Sequence, residues 1–410
     1  MPGAVPPVKG SPLLPIFLIV LVDILGLTIM LPLLPFYAEK LGASATVVGL
    51  LISSYAFCML FSGPILGRWS DSIGRKPLLI VSQLGTLVGL LILAAANQLW
   101  VVFLARIIDG LTAGNLSLAQ AYIADVTAPE NRAKSFGFIG IAFGVGFLIG
   151  PAVSGFLSQY GLAYPILAAA FLSASSVVCT ATLLPKAEPH TADSSDAGAP
   201  GPGGKRLSVF DWNAYGEYFA RPGLGPLLWQ FLCFAFYFSL SVSGFALFAQ
   251  RRFTWNGHPV GAKEVGYLFA WSGFLGIILQ GALMGRLVKW LGERKLVWTG
   301  FASTVVMNAW LGWVFTIPQL LVNTSFGSYG SGVLRPSLTA LITHRAGRRE
   351  QGVVLGLTQS LTSISAIIAP VIGGTLIDHG YLAGWAMLIA AVALIGMVLS
   401  LRSQVSEPRA

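Results

Sequence analysis

Long apolar stretches, separated by short polar segments, occupy most of this chain. A helix of about 20 apolar residues rises about 1.5 Å per residue and spans a hydrocarbon core of about 30 Å. A membrane β-barrel would instead alternate polar and apolar positions. The pattern therefore predicts an all-α membrane protein with twelve transmembrane helices. The predicted spans are residues 13–34, 45–66, 78–97, 99–123, 136–157, 162–184, 224–248, 265–288, 296–315, 318–342, 353–377 and 382–401.

Composition supports this prediction, because 55% of the residues are hydrophobic and only 10% are charged. A soluble domain usually carries about 25% charged residues. The three cysteines fall in apolar stretches, so neither a disulfide nor a metal site is expected. The chain has no phosphate-binding Gly-x-x-x-x-Gly-Lys-Ser/Thr motif and no Ser/His/Asp constellation. The sequence thus predicts no enzyme and no cofactor.

The net charge of +9 follows the predicted topology. If the N-terminus is placed inside, only Lys40, Arg251, Arg252 and Lys263 fall in outer connections, and most other basic residues fall in inner ones. Basic residues favour the cytoplasmic side, so both termini are predicted to be cytoplasmic, in a bacterial inner membrane. The expected partners are the lipid bilayer, a small-molecule substrate and protons. No nucleic acid is expected, and the protein is expected to be a monomer.

A long inner segment and an internal repeat predict three regions. Residues 285–294 repeat the glycine and basic pattern of residues 67–76 after a shift of about half the chain. The predicted regions are a six-helix half (1–184), a cytoplasmic linker (185–222) and a second six-helix half (223–410). Within the linker, Ser208–Asp211 resembles a helix capping box, and an aromatic face after it predicts a short helix in the membrane interface.

Four local motifs connect the chain to a known family. They are Gly67-x-x-x-Asp71-x-x-Gly74-Arg75-Lys76, Arg106-x-x-Asp109-Gly110, Gly146-x-x-x-Gly150-Pro151-x-x-Ser154-Gly155, and Asp23-Ile-Leu-Gly26 followed by Pro32-Leu-Leu-Pro35. With these motifs the chain resembles the major facilitator superfamily, and among its members the drug/proton antiporters of the tetracycline-exporter type. Tetracycline exporters carry an acidic residue in span 9, and this chain has none. The resemblance implies two pseudo-symmetric halves that alternate access to a central site.

The resemblance also implies a gate. The expected gating residues are Gly67, Asp71, Gly74, Arg75, Lys76, Gly146, Gly150, Pro151 and Gly155. Asp71 and Arg75 are expected to form charge contacts that latch the cytoplasmic side. The glycines of span 5 are expected either to restrict leakage or simply to allow tight helix packing.

Three charged residues within the predicted spans are candidates for proton coupling. A charge inside a bilayer is costly, so such residues usually mark an ion or substrate path. Arg106 and Asp109 are three residues apart and are expected to pair. Asp23 has no basic neighbour in its own helix, and we expect it to be the proton carrier, with Asp109 second.

Polar side chains at helical spacing predict a substrate site. The resemblance implies that helices 1, 4, 7 and 10 line a cavity, although hydrogen bonding between helices would produce the same pattern. The candidates are Ser117, Gln120, Gln230, Phe234, Tyr237, Ser241, Thr324, Ser328, Ser331 and Arg335. Arg335 either binds a polar or anionic substrate group or extends to the inner membrane surface.

The aromatic residues of helix 7 favour an amphipathic or aromatic substrate over a sugar. The predicted function is export of small amphipathic or aromatic molecules in exchange for protons. The alternatives are a facilitator or symporter of a metabolite, organic ion or lipid, and a membrane sensor that transports nothing.

Overall fold

The computed structural model describes residues 13–127, 132–185, 212–346 and 350–405, which form a bundle of long helices. The helices are α1 (Leu13–Lys40), α2 (Ala45–Ile73), α3 (Arg75–Ala94), α4 (Leu99–Leu111), α5 (Asn115–Val126), α6 (Arg132–Ser158), α7 (Ala163–Leu183), α8 (Trp212–Ala220), α9 (Gly225–Arg252), α10 (Ala262–Ile278), α11 (Met284–Leu311), α12 (Ile317–Arg345), α13 (Gln351–Asp378) and α14 (Leu382–Val405). A π-helical segment, Leu279–Leu283, joins α10 to α11, and strands β1 (Thr254–Trp255) and β2 (His258–Pro259) form an antiparallel hairpin.

Ten helices of the described part are long and apolar enough to cross a membrane. One of them, Ala262–Leu311, has 50 residues and contains predicted span 8 and most of predicted span 9. At 1.5 Å per residue it is about 75 Å long, which is more than twice the hydrocarbon thickness. It bends at Gly292, which has a φ of 73°. Glycine adopts such a positive φ at little energetic cost because it has no Cβ. The all-α membrane fold is confirmed, and the count falls short of twelve in part because two crossings form one bent run.

The helix α12 accounts for the other missing span. It has 29 residues but is not among the ten apolar helices, since Ser, Thr, Asn, Gly and an arginine interrupt its apolar positions. It is buried against its neighbours through Leu320, Val333, Leu334 and Leu338. Predicted span 10 is therefore a long helix whose polarity sets it apart from the rest.

Predicted span 4 is present as Leu99–Ile123, but its helix is interrupted. The helix α4 ends at Leu111 and α5 begins at Asn115. The Ser82 hydroxyl of α3 bridges the break, donating to the carbonyl oxygen of Thr112 and accepting the Gly114 N–H at 3.0 Å. The backbone groups that the break frees are thus satisfied by a neighbouring helix, as the membrane interior requires.

The short helix predicted in the linker is present as α8, and its place in the membrane interface remains a prediction. The proposed capping box, Ser208–Asp211, lies outside the described residues. Phe219 of α8 packs against Trp229 of α9, with ring centroids 4.9 Å apart. Arg221, just after α8, pairs with Glu350 at 2.9 Å, and this contact ties the segment to the start of α13.

The bundle has two ends, a loop end and a terminal end. The loop end carries the connections 41–44, 253–261 and 379–381. The terminal end is the opposite one, where α1 begins and α14 ends. Helices α1–α7 are called the N-terminal group and α9–α14 the C-terminal group. The division of the chain at 184 and 222 remains a prediction.

Candidate functional site

An ion pair is buried in the N-terminal group. The Arg106 Nη1 lies 2.7 Å from the Asp109 Oδ2 on α4, and both residues are 8% exposed. The Arg106 guanidinium also lies 4.1 Å from the ring centroid of Tyr55 on α2. The predicted pairing is confirmed. A pair held this way satisfies two charges that would otherwise be costly inside a membrane.

Asp23 lies beside a chain of hydrogen-bonding side chains. The Ser176 hydroxyl of α7 donates to the Asp23 Oδ1 at 3.1 Å. The Gln83 amide of α3 donates in turn to the Ser176 oxygen at 2.8 Å. Gln83 and Ser176 are fully buried. Asp23 is thus held by helices of its own group.

The hydrogen-bonding partners of Asp23 lie on α3 and α7 of the N-terminal group, and Asp23 itself is half-buried. These partners were not predicted, because the sequence shows polar residues on one helix at a time and not which neighbour they meet. Gln83, in the middle of an otherwise apolar span 3, was the signal that could have revealed this cluster.

The segment between α2 and α3 forms the predicted charge contacts. The Arg75 Nη2 lies 2.6 Å from the Asp71 Oδ1, and its Nε lies 2.8 Å from the Asp125 Oδ2 at the end of α5. Lys76 donates to the carbonyl oxygens of Ala181 and Leu184, where α7 ends. These contacts connect α2, α3, α5 and α7 within the N-terminal group.

The predicted glycine motif of α6 packs on two different helices. A Cβ at Gly146 or Gly150 would collide with side-chain atoms of Ile24 or Thr28 on α1. The Thr28 hydroxyl also donates to the Gly146 carbonyl oxygen at 2.8 Å. Gly155, by contrast, faces α10, and a Cβ there would lie 2.7 Å from a backbone oxygen. Tight packing of this helix is confirmed.

The polar and aromatic stripe of α9 is buried inside the C-terminal group. Gln230, Phe234 and Tyr237 are each less than 5% exposed. The Tyr237 hydroxyl accepts a hydrogen bond from Thr304 of α11 at 3.4 Å, and a Cβ at Gly244 would collide with the Trp385 ring of α14. Tyr237 packs against α11 and Gly244 against α14, so the buried part of this stripe does not line an open cavity in this conformation, while Ser241 is half-buried. Aromatic residues at helical spacing serve a packing face equally well, so the sequence could not separate the two.

The stripe of α12 becomes more accessible toward the terminal end. Thr324 and Ser328 are buried, Ser331 is half-buried, and Arg335 is exposed. The hydroxyls of Ser328 and Ser331 donate to carbonyl oxygens of α12 itself. They therefore do not hold α12 to another helix. The alternative of hydrogen bonding between helices does not account for this stripe.

The two halves of span 4 show the same gradient. Arg106 and Asp109 on α4 are buried, whereas Ser117 and Gln120 on α5 are exposed. Because of the break at Thr112–Gly114, the four residues do not form one continuous helical face.

Two seams join the groups at the loop end. In the first, Asp378 of α13 accepts the N–H groups of Ala45 and Thr46 at the start of α2, at 2.7 and 2.8 Å. Arg251 of α9 lies 3.5 Å from the same carboxylate and 3.4 Å from Glu39 of α1. A charged cluster therefore joins α1, α2, α9 and α13.

Backbone contacts close the same end. A Cβ at Gly49 of α2 would collide with the Pro370 carbonyl oxygen, and one at Gly374 of α13 with the Ala45 carbonyl oxygen. In the second seam, a Cβ at Gly266 of α10 would lie 2.6 Å from the Pro151 oxygen of α6. Such distances require the helix backbones themselves to touch.

At their described glycines, the seam helices α2, α6 and α13 have no such contacts toward the terminal end. Gly63 and Gly67 on α2, Gly140 on α6, and Gly356 on α13 have no atom within 4 Å of a built Cβ. The two groups thus touch from the loop end to about mid-length and then diverge. The structure is closed at the loop end and open at the terminal end, and Arg335 and Gln120 are exposed in its open half.

Comparisons with known proteins agree with this fold. The chain matches the sequence profile of the Major Facilitator Superfamily over residues 16–317 and 259–410. It is 30% identical over 365 residues to the tetracycline resistance protein, class E, of Escherichia coli, covering 86% of this chain and 85% of that protein. It is 27% identical over 383 residues to multidrug resistance protein 2 of Bacillus subtilis (strain 168), covering 88% and 89%. Among solved structures, the human organic anion transporter MFSD10 (TETRAN) superposes with a TM-score of 0.68 at 22% identity, covering 95% of this chain and 98% of that one.

Proposed function

We propose that this chain, which belongs to the major facilitator superfamily, exports small amphipathic or aromatic molecules in exchange for protons. That it is an integral membrane transporter and not an enzyme follows from the family. Its relatives are named for tetracycline resistance, multidrug resistance and organic anion transport. Tetracycline and organic anions are small organic molecules, which supports the proposed substrate class.

The observation that carries the proton coupling is the polar cluster of the N-terminal group. Asp23 is hydrogen-bonded by Ser176 and has no cation among its described partners, whereas Asp109 is neutralised by Arg106. A carboxylate without a counter-charge in a membrane favours its protonated form more than a paired one does. Asp23 is thus the proposed proton carrier, Arg106 holds Asp109 in the ion pair, and a proton gradient supplies the energy.

The orientation follows from charge. The basic residues concentrate at the terminal end, so this end is proposed to be cytoplasmic. The bacterial relatives support a bacterial inner membrane. The conformation closed at the loop end then opens to the cytoplasm, as an exporter must to take up its substrate. In the open half, Ser117, Gln120, Ser331 and Arg335 are the proposed substrate contacts, and Asp71 and Arg75 are proposed to meet the C-terminal group when this end closes.

Proton flux tests this proposal. The protein is reconstituted in liposomes that contain a pH-sensitive dye, and a panel of amphipathic compounds is added. We expect substrate-dependent proton movement in the wild type. Asp23→Asn keeps a hydrogen-bond acceptor for Ser176, so it is expected to fold and to bind substrate while losing at least about tenfold in proton flux.

A matched control is Glu217→Gln, which neutralises an exposed carboxylate on α8 outside the spans. This variant is expected to retain wild-type flux. If Asp23→Asn retains substrate-coupled proton flux, the assigned carrier is wrong. If the wild type moves substrate without protons, the protein is a facilitator.

A further inference from the structure

One arginine stands apart from every other charge in the C-terminal group. Arg335 lies ten residues before the end of α12, or about 15 Å along the helix. All other charged residues that the structure describes between Gly225 and Arg402 lie within about two turns of a helix end or of the Gly292 bend, or in a connection. The described middle of the group therefore carries a single charge, and that charge is positive.

Arg335 faces the interior of the bundle. It is nine residues from Phe326, and nine steps of 100° put the two side chains on opposite faces of α12. Phe326 and Val322 are exposed apolar residues at 42% and 53% and form the lipid-facing side. Arg335 is nevertheless exposed as well. A residue that is accessible on the face opposite the lipid borders open space between the groups.

The guanidinium of Arg335 has no counter-ion among the residues that the structure describes. Arg106, the other arginine deep in a span, is paired with Asp109 and covered by Tyr55. On its own helix the polar neighbours of Arg335 are Ser331 and Thr339, one turn away on either side. The Thr339 hydroxyl donates to the Arg335 carbonyl oxygen. An unpaired cation in a membrane helix is costly, and a ligand that brings the missing negative charge removes this cost.

We propose that Arg335 is the recognition site for an anionic group, so that the preferred substrates are amphipathic organic anions such as aromatic carboxylates. This inference rests on the proposed export function and specifies its substrate class. The planar guanidinium can donate two parallel hydrogen bonds to a carboxylate. The Ser331 hydroxyl can rotate from its own helix to donate a third. The apolar part of the ligand would lie along the open space between the groups.

Two dyes that share a xanthene skeleton separate charge from shape. Fluorescein is anionic and rhodamine 123 is cationic, and the binding of each to the purified full chain in nanodiscs is measured by fluorescence anisotropy. Arg335→Gln is expected to weaken fluorescein binding at least about tenfold, because a tenfold change in affinity corresponds to the loss of one charge-assisted hydrogen bond. Rhodamine 123 binding is expected to stay the same or improve. Arg335→Lys keeps the charge without the planar fork and is expected to restore fluorescein binding in part.

Arg286→Gln is the matched control, because it removes the same charge from an exposed position near the terminal end. It is expected to leave the binding of both dyes unchanged. The inference is overturned if Arg335→Gln binds fluorescein like the wild type, if both dyes weaken equally, or if the wild type does not bind fluorescein at all. Proton-coupled transport of rhodamine 123 by the wild type in any of these cases leaves the proposed export function standing.

Discussion

The interface between the helix groups is tightly packed at its loop end and open at its terminal end. At the loop end, Gly49 and Gly374 bring backbones into contact, and Asp378 of one group caps a helix of the other. At the terminal end, Gly67 and Gly356 have no neighbour within 4 Å of a built Cβ. A protein that alternates between two states must be able to exchange these roles. The comparison indicates that the described state is held by specific loop-end contacts, which can be removed one at a time.

The largest effect is expected where backbones touch. In Gly374→Ala the new Cβ would collide with the Ala45 carbonyl oxygen, and the resulting overpacking is expected to cost about 3 kcal/mol in the closed loop end. Gly356→Ala adds the same methyl group to the same helix where nothing lies within 4 Å. Spin labels at the exposed positions Tyr160 and Trp313 report the loop-end distance. Only Gly374→Ala should lengthen it.

These measurements require a background in which Cys58, Cys179 and Cys233 are replaced, since all three are free and partly accessible. If Gly356→Ala lengthens the loop-end distance as much as Gly374→Ala does, the methyl group acts through the helix and not through the seam. The contrast between the two ends would then lose its basis.

An intermediate effect is expected from the carboxylate that spans the seam. Asp378→Asn leaves one acceptor oxygen for the N–H groups of Ala45 and Thr46 and removes the charge that faces Arg251. The loss of this charge and of one acceptor is expected to destabilise the closed loop end by about 1.5 kcal/mol. This corresponds to about a tenfold shift toward an open loop end. The same label pair measures this shift.

The matched control is Glu264→Gln, also at the loop end. The Glu264 carboxylate accepts only the Gly261 N–H at the start of its own helix, at 2.9 Å. This variant should reduce stability slightly and leave the loop-end distance unchanged. An equal opening in both variants would indicate general destabilisation and not a latch.

The smallest effect is expected from a single hydroxyl. Ser53 of α2 donates to the Ile367 carbonyl oxygen of α13 at 2.6 Å, across the seam. The adjacent Ser54 donates to Leu51 within its own helix. Ser53→Ala is expected to weaken closure by about 1 kcal/mol and Ser54→Ala to change it little. Closure that is weakened equally by both substitutions would contradict the assignment of Ser53 to the seam.

Much of the fold was predictable because the bilayer leaves few choices. A chain of apolar stretches of about 20 residues can satisfy its backbone in lipid only as helices. The pairing of Arg106 with Asp109 was predictable for the same reason, since residues three apart on a helix are neighbours. Interruptions were harder to see. The break after Leu111 depends on Ser82 of another helix, and the bend at Gly292 joins what the hydropathy pattern separates.

The side that each stripe faces was not predictable. Phe234 and Tyr237 look like a cavity lining in the sequence, yet both are buried, and α11 packs against Tyr237 through Phe301 and Thr304. Asp23 looks isolated, yet Ser176 reaches it from a helix more than 150 positions away. A periodic pattern gives the angle of a side chain on its own helix but not the identity of the helix opposite.

The sequence by itself determined that this protein is a bundle of membrane helices, with Asp23, Arg106, Asp109 and Arg335 placed deep inside them. Hydropathy, helical spacing and the charge of the connections are local properties, and each can be evaluated without a partner. Only the tertiary structure decided which charges are paired, which stripes are covered and which end is open. These are relations between residues far apart in the chain, and packing alone sets them.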